Sequence, residues 1–250
     1  MPRIVTVHSF LRGTGKSSLT ANIAALLAGA GLRVAVIDAD LASPALHSLF
    51  GLELGAGSLS FNDYIQGKCK IVDAVRLVEP RVDWPPTGSI FVIPASSSEP
   101  EIVRVLREGH KLDQLSRDLQ GLHAELALDV VMIDAPSGLS ETTLSLLALA
   151  DTVIMVLRLD KQDYQGTAVT LDVARKLGVP HLLLVVNPVP LGYDLAEVAV
   201  RVEATYACDV AAVLPYADEM ATSGSSIFVW RYPNHPNTAS LRKVGSRLAP

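Results

Sequence analysis

The segment Phe10-Leu11-Arg12-Gly13-Thr14-Gly15-Lys16-Ser17-Ser18 separates two stretches of different pattern. The apolar run Ile4–Val7 before it predicts a short strand. The stretch after it is rich in alanine and leucine and predicts a helix that runs to about Gly31. A glycine-bearing turn that joins a strand to a helix and ends in Gly-Lys-Ser is the core of a phosphate-binding loop. The sequence therefore predicts a polyphosphate site at this turn.

Each residue type in the turn has a physical task at such a site. Gly13 and Gly15 lack a Cβ, so the backbone can come close to phosphate oxygens. The N–H groups of the first helical turn point at the anion, and the helix dipole favours negative charge there. Lys16 is expected to reach the β- and γ-phosphates, and the Ser17 hydroxyl to bind Mg²⁺. One place is irregular, because the general pattern has a glycine where this chain has Phe10.

Length and composition favour a globular protein with a large core. The chain has 250 residues, 49% of them hydrophobic, and a mean hydropathy of +0.33. Its apolar runs are too short to cross a membrane. A strand begins almost at the first residue, so we expect no secretory signal. Cys69 and Cys208 lie far apart, which predicts no structural metal and suits a reducing cytoplasm.

Charge is unevenly distributed along the chain. The 21 basic and 26 acidic residues leave a net charge of −5, so the molecule as a whole has no basic bias towards nucleic acid. No acidic residue follows Glu219, however, while four basic residues do: Arg231, Arg242, Lys243 and Arg247. This asymmetry leaves contact with DNA or an acidic partner open at the C-terminal end; the alternative is ordinary solvated charge.

Carboxylates follow two further apolar runs. Val34–Ile37 leads into Asp38 and Asp40, and Val130–Ile133 leads into Asp134. Continuous apolar runs of this length are typical of buried parallel strands. Open α/β sheets bind ligands at the carboxyl ends of such strands, so these acids and the phosphate loop should face one crevice. Asp38 could instead be a turn cap, but two acids opposite a phosphate loop favour a functional role.

Strands alternate with helices along the rest of the chain. Further strands are predicted at 90–93, 152–157, 181–186 and 210–214, and helices at 60–66, 101–128, 166–177, 194–206 and 238–248. Such alternation predicts an α/β fold with a doubly wound, mostly parallel sheet flanked by helices.

The chain resembles the ParA/MinD family of ATPases. The resemblance rests on Gly13–Ser18 with Thr20–Ala24 behind it, on Val36–Asp40, on Ile133–Gly138, and on Asn187-Pro188 after a strand. It extends from Arg3 nearly to the end and is looser over residues 53–110. It implies a single ATP-binding domain over residues 1–250, with a phosphate-loop NTPase fold of the SIMIBI-like type.

The resemblance also implies a role for each matching position. ATP and Mg²⁺ would be the cofactors. Lys16 and Asp40 would be catalytic, Asp40 by positioning or activating the attacking water. Asn187 would read the adenine edge and Pro215 would line the base pocket. The phosphates would lie on Gly13, Thr14, Gly15, Lys16, Ser17 and Ser18, and the metal on Ser17, Asp38 and Asp134.

The main departure from the family pattern is Leu11. The family has a signature lysine at this place, which reaches the partner's nucleotide in an ATP-closed homodimer, and leucine cannot stabilise phosphate charge. Two hypotheses stay open. Either Arg12 or Lys161 supplies the missing charge, with Arg12 preferred as a catalytic residue and Arg158 as a third candidate, or Arg12 is solvated and Lys161 pairs with a nearby aspartate, Asp160 or Asp163.

The resemblance favours a cytoplasmic, slowly hydrolysing ATPase that positions or partitions a cargo such as DNA, a septum regulator or a protein assembly. A cargo or activator protein would be its partner. One alternative is a nucleotide-dependent regulatory module with little hydrolysis; another is a metabolic ligase, for which we see no dedicated substrate residues. Iron–sulfur carriers of this class need paired cysteines, and the distant Cys69 and Cys208 do not form such a pair. Leu241–Leu248 is only a weak candidate for a membrane anchor, because that basic helix is short and Gly245 interrupts it.

Overall fold

The structure is a computed structural model that describes residues 1–55, 57–80, 86–96, 112, 114–224 and 226–249. The strands in these ranges form one sheet. In chain order they are β1 (Arg3–His8), β2 (Arg33–Asp38), β3 (Arg76–Leu77), β4 (Ser89–Ile93), β5 (Val130–Asp134), β6 (Thr152–Leu157), β7 (His181–Val189) and β8 (Asp209–Pro215). Their order across the sheet is β3-β4-β2-β5-β1-β6-β7-β8. Neighbours are parallel except for β3, which runs antiparallel to β4, so the predicted sheet is confirmed.

Helices cover both faces of this sheet. In the described residues they are α1 (Lys16–Gly29), α2 (Leu46–Leu49), α3 (Phe61–Ile65), α4 (Leu115–Leu126), α5 (Glu141–Leu149), α6 (Lys161–Lys176), α7 (Leu195–Tyr206), α8 (Asp218–Thr222), α9 (Phe228–Arg231) and α10 (Pro236–Ser246). A short 3₁₀ turn spans Ile71–Ala74. The α-helices and strands alternate as the doubly wound prediction requires.

The central strands are apolar on both faces because both faces are packed. On β2, Val34 and Val36 belong to the cluster shared with α1, α9 and α10. The alternate residues Ala35 and Ile37 belong to the cluster shared with α3 and α4. All four side chains are fully buried. This two-sided burial explains why the strand has a continuous apolar run rather than an alternating one.

The strand order brings the predicted site residues to one edge. β5 lies between β1 and β2, so the phosphate loop after β1 and the acids that end β2 and β5 lie side by side. Asp38 and Asp134 are register partners on adjacent parallel strands. Because parallel strands end at the same edge, three consecutive positions across the sheet there carry the loop and the carboxylates.

The structure corrects several predicted boundaries. α6 begins at Lys161 rather than at residue 166, because Asp160 caps it by accepting the Asp163 N–H at 2.9 Å. α5 and the two-residue strand β3 were absent from the sequence prediction, since their residues show no distinct period. Of the helix predicted over 101–128, the described part is α4; residues 101–111 and 113 lie outside the described residues.

The C-terminal helix α10 is part of the packed core. Leu241, Val244 and Leu248 are fully buried in the cluster shared with α1. The apolar face that was weighed as a membrane anchor is therefore occupied by the protein interior. No helix within the described ranges has the length and apolar character needed to cross a membrane.

Candidate functional site

The phosphate loop is shaped by two glycines in the left-handed region. Gly13 has φ of 75° and Gly15 has φ of 84°, which residues with a Cβ rarely adopt. Gly15 is the N-cap of α1, and a Cβ there would lie 2.5 Å from the Asn187 side-chain nitrogen. Lys16 is the first residue of α1. The glycines thus allow the turn that aims the first N–H groups of α1 at the crevice.

Lys16 is buried between two of the predicted acids. Its Nζ donates to Asp134 Oδ1 at 2.6 Å and lies 3.8 Å from Asp40 Oδ2. Only 5% of the Lys16 side chain is exposed. The structure therefore brings together Lys16, Asp40 and Asp134, as the sequence predicted, and the ammonium balances one of the surrounding negative charges.

Asp38 accepts hydrogen bonds from two backbone N–H groups, and its negative charge is disfavoured by the nearby carboxylate of Asp134. Its Oδ2 accepts the N–H of Ala45 at 2.9 Å and of Leu46 at 3.0 Å. Full burial and the neighbouring Asp134 carboxylate raise the pKa of Asp38 to about 7, while these two N–H groups and Lys16 oppose the rise. Asp38 is thus both a loop anchor and one of three acids crowded around one lysine.

The donor set fits a hydrated divalent cation. Asp38 Oδ1, Asp40 Oδ1 and Asp134 Oδ2 are buried and accept no hydrogen bond from any described residue. Buried oxygens without a partner are costly, and carboxylate oxygens are the ligands Mg²⁺ takes. The described His, Cys, Asp and Glu side chains form no complete metal-binding group by themselves. That combination suits Mg²⁺, which is usually held by one or two carboxylates together with phosphates and water.

Asn187 and Pro215 line one cleft beside the phosphate loop. The cleft has a volume of about 180 Å³, and its walls include Gly13, Ser18, Asn187, Pro188, Pro215 and Tyr216. The Asn187 side-chain amide donates to the Thr14 carbonyl oxygen at 2.8 Å, and the Asn187-Pro188 peptide is cis. Asn187 therefore ties the end of β7 to the loop.

The cations near the site have distinct surroundings. Arg12 is exposed, and its charge helps Lys16 to oppose the rise that burial causes in the pKa of Asp40. Arg158 Nε lies 3.4 Å from Asp160 Oδ2 and 3.8 Å from Asp163 Oδ2. Lys161 is exposed and has no ion pair within 4 Å among the described residues. The pairing of Lys161 with these aspartates, which was one of the two open hypotheses, is therefore wrong: Arg158, three residues earlier, pairs with them.

The end of β1 contributes a neutral histidine. His8 is fully buried beneath the loop. Burial, and then the positive charge of Lys16, lower its pKa to about 3. An uncharged imidazole leaves Lys16 as the positive charge that faces the acids from this part of the loop.

Sequence reasoning missed the contacts of Ser9 and Phe10. The Ser9 carbonyl accepts the Gly138 N–H at 3.0 Å, and the Ser9 hydroxyl lies 3.2 Å from that of Ser137. The Phe10 ring lies on Gly166 of α6. The sequence signal was the glycine inside a helical segment, which was interpreted as a helix start.

The two cysteines are separate in space as in sequence. Cys69 lies between α3 and the 3₁₀ turn, and Cys208 lies between α7 and β8, at the other end of the sheet. Both are free thiols.

Known proteins match this chain over most of its length. Residues 1–191 match the ParA family model, described as NUBPL iron-transfer P-loop NTPase. An uncharacterized ATP-binding protein of Methanocaldococcus jannaschii is 27% identical over 98% of this chain and 86% of its own length. The flagellum site-determining protein YlxH of Helicobacter pylori is 29% identical over 62% of this chain. That match spans about half of YlxH, 47% of its length.

A solved structure shares the fold. It is the septum site-determining protein MinD of Pyrococcus horikoshii, complexed with Mg-ADP. Its TM-score is 0.79 over 99% of this chain and 96% of that one, at 19% identity. At this identity the likeness concerns the fold.

Proposed function

The chain belongs to the ParA family of P-loop NTPases, and from this premise we propose that it is an ATP-dependent dimerisation switch that hydrolyses ATP slowly and positions or partitions a cargo. The observation that carries the proposal is the buried Lys16 ammonium, held between Asp134 and Asp40 at the start of α1. The names of two similar proteins, one ATP-binding and one flagellum site-determining, support nucleotide binding and positioning.

Nucleotide binding exchanges one partner of Lys16 for another. The ammonium leaves Asp134 Oδ1 for the phosphate oxygens, which carry more negative charge than one carboxylate. The backbone N–H groups from Gly13 to Ser18 hold the phosphates, and the N-terminus of α1 favours their charge. The base occupies the cleft beside Asn187 and Pro215. In this step Asn187 keeps the loop in place through the Thr14 carbonyl.

Hydrolysis depends on position and charge rather than on covalent chemistry. Asp40, whose Oδ2 lies 3.8 Å from the Lys16 ammonium, would accept a hydrogen bond from the attacking water through its unpartnered Oδ1 and orient that water. Ser17, Asp38 and Asp134 would hold Mg²⁺, which would neutralise charge on the phosphates. Arg12 adds positive charge at the rim. Asp134, freed from Lys16, returns to that ammonium after product release.

The switch is a homodimer in its ATP form, and a cargo or activator protein sets its lifetime. We place this function in the cytoplasm. DNA is a candidate surface through the exposed Arg242 and Lys243 of α10. The patch is weaker than the sequence suggests, because Arg247 lies 3.8 Å from the Asp209 carboxylate and Arg231 stacks on Tyr232. A membrane contact would need a surface other than the buried face of α10.

A second candidate is a regulatory module that binds ATP and hydrolyses little of it. Leu11 favours this candidate, because a leucine at the signature position contributes no positive charge to a partner's nucleotide. Binding rests on residues that are present, whereas turnover rests on charge that Arg12 or Lys161 would have to supply. Steady-state turnover compared with ATP-dependent dimerisation separates the two candidates.

The test measures ATP affinity and phosphate release separately. Lys16→Gln removes the ammonium and should weaken ATP binding by about 10–100-fold, the usual worth of a charge-assisted contact. Asp40→Asn should keep ATP affinity and lower turnover by roughly 100-fold, because the amide positions the water poorly. Calorimetric titration of ATP with Mg²⁺ gives the first quantity, and a phosphate-release assay gives the second.

Thermal melting of each variant confirms that it is folded. Glu141→Gln, at the first turn of α5, is the matched control for Asp40→Asn and should change neither quantity. Wild-type affinity in the folded Lys16→Gln variant would contradict the proposed phosphate site. ATP binding with no turnover in the wild type would favour the regulatory module.

A further inference from the structure

The ring of Phe10 packs directly on α6 at Gly166. Phe10 is half-buried and packs against the apolar cluster that includes Leu157 and Leu171. A Cβ placed on Gly166 would collide with Cγ, Cδ1 and Cε1 of the ring. The ring therefore lies directly against the backbone of α6, at a place that only a residue without a side chain leaves open.

The backbone of α6 does not itself require a glycine there. Gly166 lies inside the helix, and its φ is outside the left-handed region. Glycine in a helix interior is unfavourable relative to alanine, because it loses more backbone freedom on folding. The contact with Phe10 is thus the structural reason for a glycine at position 166.

The start of α6, one turn before Gly166, is bonded to the residue that follows β6. Asp163, one turn before Gly166, is fully buried, and its Oδ2 accepts the Arg158 N–H at 2.8 Å. Burial raises the pKa of Asp163, while the hydrogen bond from the Arg158 N–H opposes the rise.

The other side of the loop is tied to the segment that follows β5. Gly138 donates its N–H to the Ser9 carbonyl at 3.0 Å, and the Ser9 hydroxyl donates to the Leu11 carbonyl at 2.8 Å. The first half of the loop is thus held from two directions, and the ring of Phe10 is its large apolar contact.

We propose that Phe10 is a positioning residue whose ring, seated on Gly166, fixes the phosphate loop to α6 before nucleotide binds. The physical reason is preorganisation, because a loop already held in its binding geometry loses less conformational freedom on binding. What the loop binds rests on the proposed function, whereas the fixation of the loop does not.

A double-mutant cycle tests the contact between the Phe10 ring and Gly166. In the wild type, Gly166→Ala should lower the melting temperature by roughly 2–4 °C or more, because the new methyl group displaces the ring. In the Phe10→Ala background the same change should leave it unchanged or raise it, since alanine suits a helix interior. Equal effects of Gly166→Ala in both backgrounds would overturn the proposal.

Hydrogen exchange of the nucleotide-free protein tests the positioning role. Phe10→Ala should speed amide exchange of loop residues 11–16 by roughly tenfold. The matched control is Leu119→Ala, which removes a fully buried side chain of α4 in a different cluster and should lower the melting temperature without this local effect. Phe10→Leu, which keeps an apolar side chain, should restore most of the protection. Exchange in Phe10→Ala no faster than in the control would overturn the proposal.

ATP titration adds an outcome that separates this proposal from the proposed function. Phe10→Ala should weaken ATP affinity by roughly tenfold through lost preorganisation. A wild-type chain that binds no ATP contradicts the proposed function, and the exchange result still decides the role of Phe10. A wild-type chain that binds ATP, with unchanged affinity in Phe10→Ala, counts against the positioning role.

Discussion

Asp38 shows how the site stores unfavourable charge. It ends β2 beside Asp134, and only Lys16 lies near both acids as a buried cation among the described residues. Full burial removes Asp38 from water, and the N–H groups of Ala45 and Leu46 offset only part of that loss. The nucleotide-free protein therefore keeps a proton on this carboxyl to higher pH than an unfolded chain does.

The contribution of Asp38 to the stability of the nucleotide-free protein should fall as pH rises, whereas that of His8, whose pKa is lowered, has the opposite sign. The pKa of Asp38 is about 7 in the folded chain and 3.8 as its ordinary value, so unfolding releases a proton between these pH values. The contribution of Asp38 is greatest below pH 4 and is lost as pH rises through 7. Between about pH 5 and 8 the loss should be roughly 1–3 kcal/mol.

Asp38→Asn isolates this contribution, because the amide oxygen can still accept the two N–H groups but does not titrate. In urea unfolding at several pH values, the free energy of unfolding of the wild type minus that of Asp38→Asn should decrease between about pH 5 and 8. A difference that does not change with pH would show that Asp38 is already ionised at pH 5 in the folded chain.

The helix α10 belongs to the fold as an element rather than to its surface. Its residues Leu241 and Val244 are fully buried, and the Leu27 side chain of α1 lies 3.7 Å from where a Cβ on Gly245 would be. Because α1 begins with Lys16, the packing of α10 supports the helix on which the proposed phosphate site lies. Its exposed face carries Arg242 and Lys243, which do not take part in this packing.

Leu241→Ala should destabilise the protein by about 2–5 kcal/mol, the usual result of emptying a fully buried leucine site. Lys243→Ala, two residues later on the exposed face, is the matched control and should change stability by about 0.5 kcal/mol at most. Urea denaturation measures both. A loss below about 1 kcal/mol for Leu241→Ala would mean that α10 packs loosely on α1.

At the scale of the whole molecule, the hypothesis that Leu11 replaces the family's signature lysine raises the question of which cation would reach a partner's nucleotide in the proposed homodimer. Leu11 is half-buried and uncharged, while Arg12 and Lys161 are exposed at the same edge of the sheet. Arg158 is engaged by Asp160 and Asp163. Because Arg12 and Lys161 are exposed, their side chains could contact a second copy of the chain.

If Arg12 or Lys161 supplies that charge, Arg12→Ala or Lys161→Ala should lower ATP turnover by roughly tenfold or more, because charge stabilisation carries phosphoryl transfer. Turnover per chain should also rise with protein concentration in the wild type. Lys176→Ala, at the far end of α6, is the control. Unchanged turnover in both variants would sink the compensation hypothesis.

The sequence was most informative where a pattern is local. The glycines before Lys16 and the carboxylates after two apolar runs could be recognised within a few residues. The fold class followed from the strand–helix alternation. Boundaries were less certain where caps decide them, as at Asp160, and α5 and β3 had no distinct period to reveal them.

The sequence by itself determined the phosphate loop that opens on Phe10 and closes on Ser18, and the edge of the sheet that carries it. Only the tertiary structure decided the partners. Lys16 meets Asp134 118 positions away, and Asn187 meets Thr14 173 positions away. The packing of the Phe10 ring on Gly166 is another contact between residues far apart in the sequence. Such contacts depend on strand order and helix packing, which no local period encodes, because they follow from burying both faces of one sheet at once.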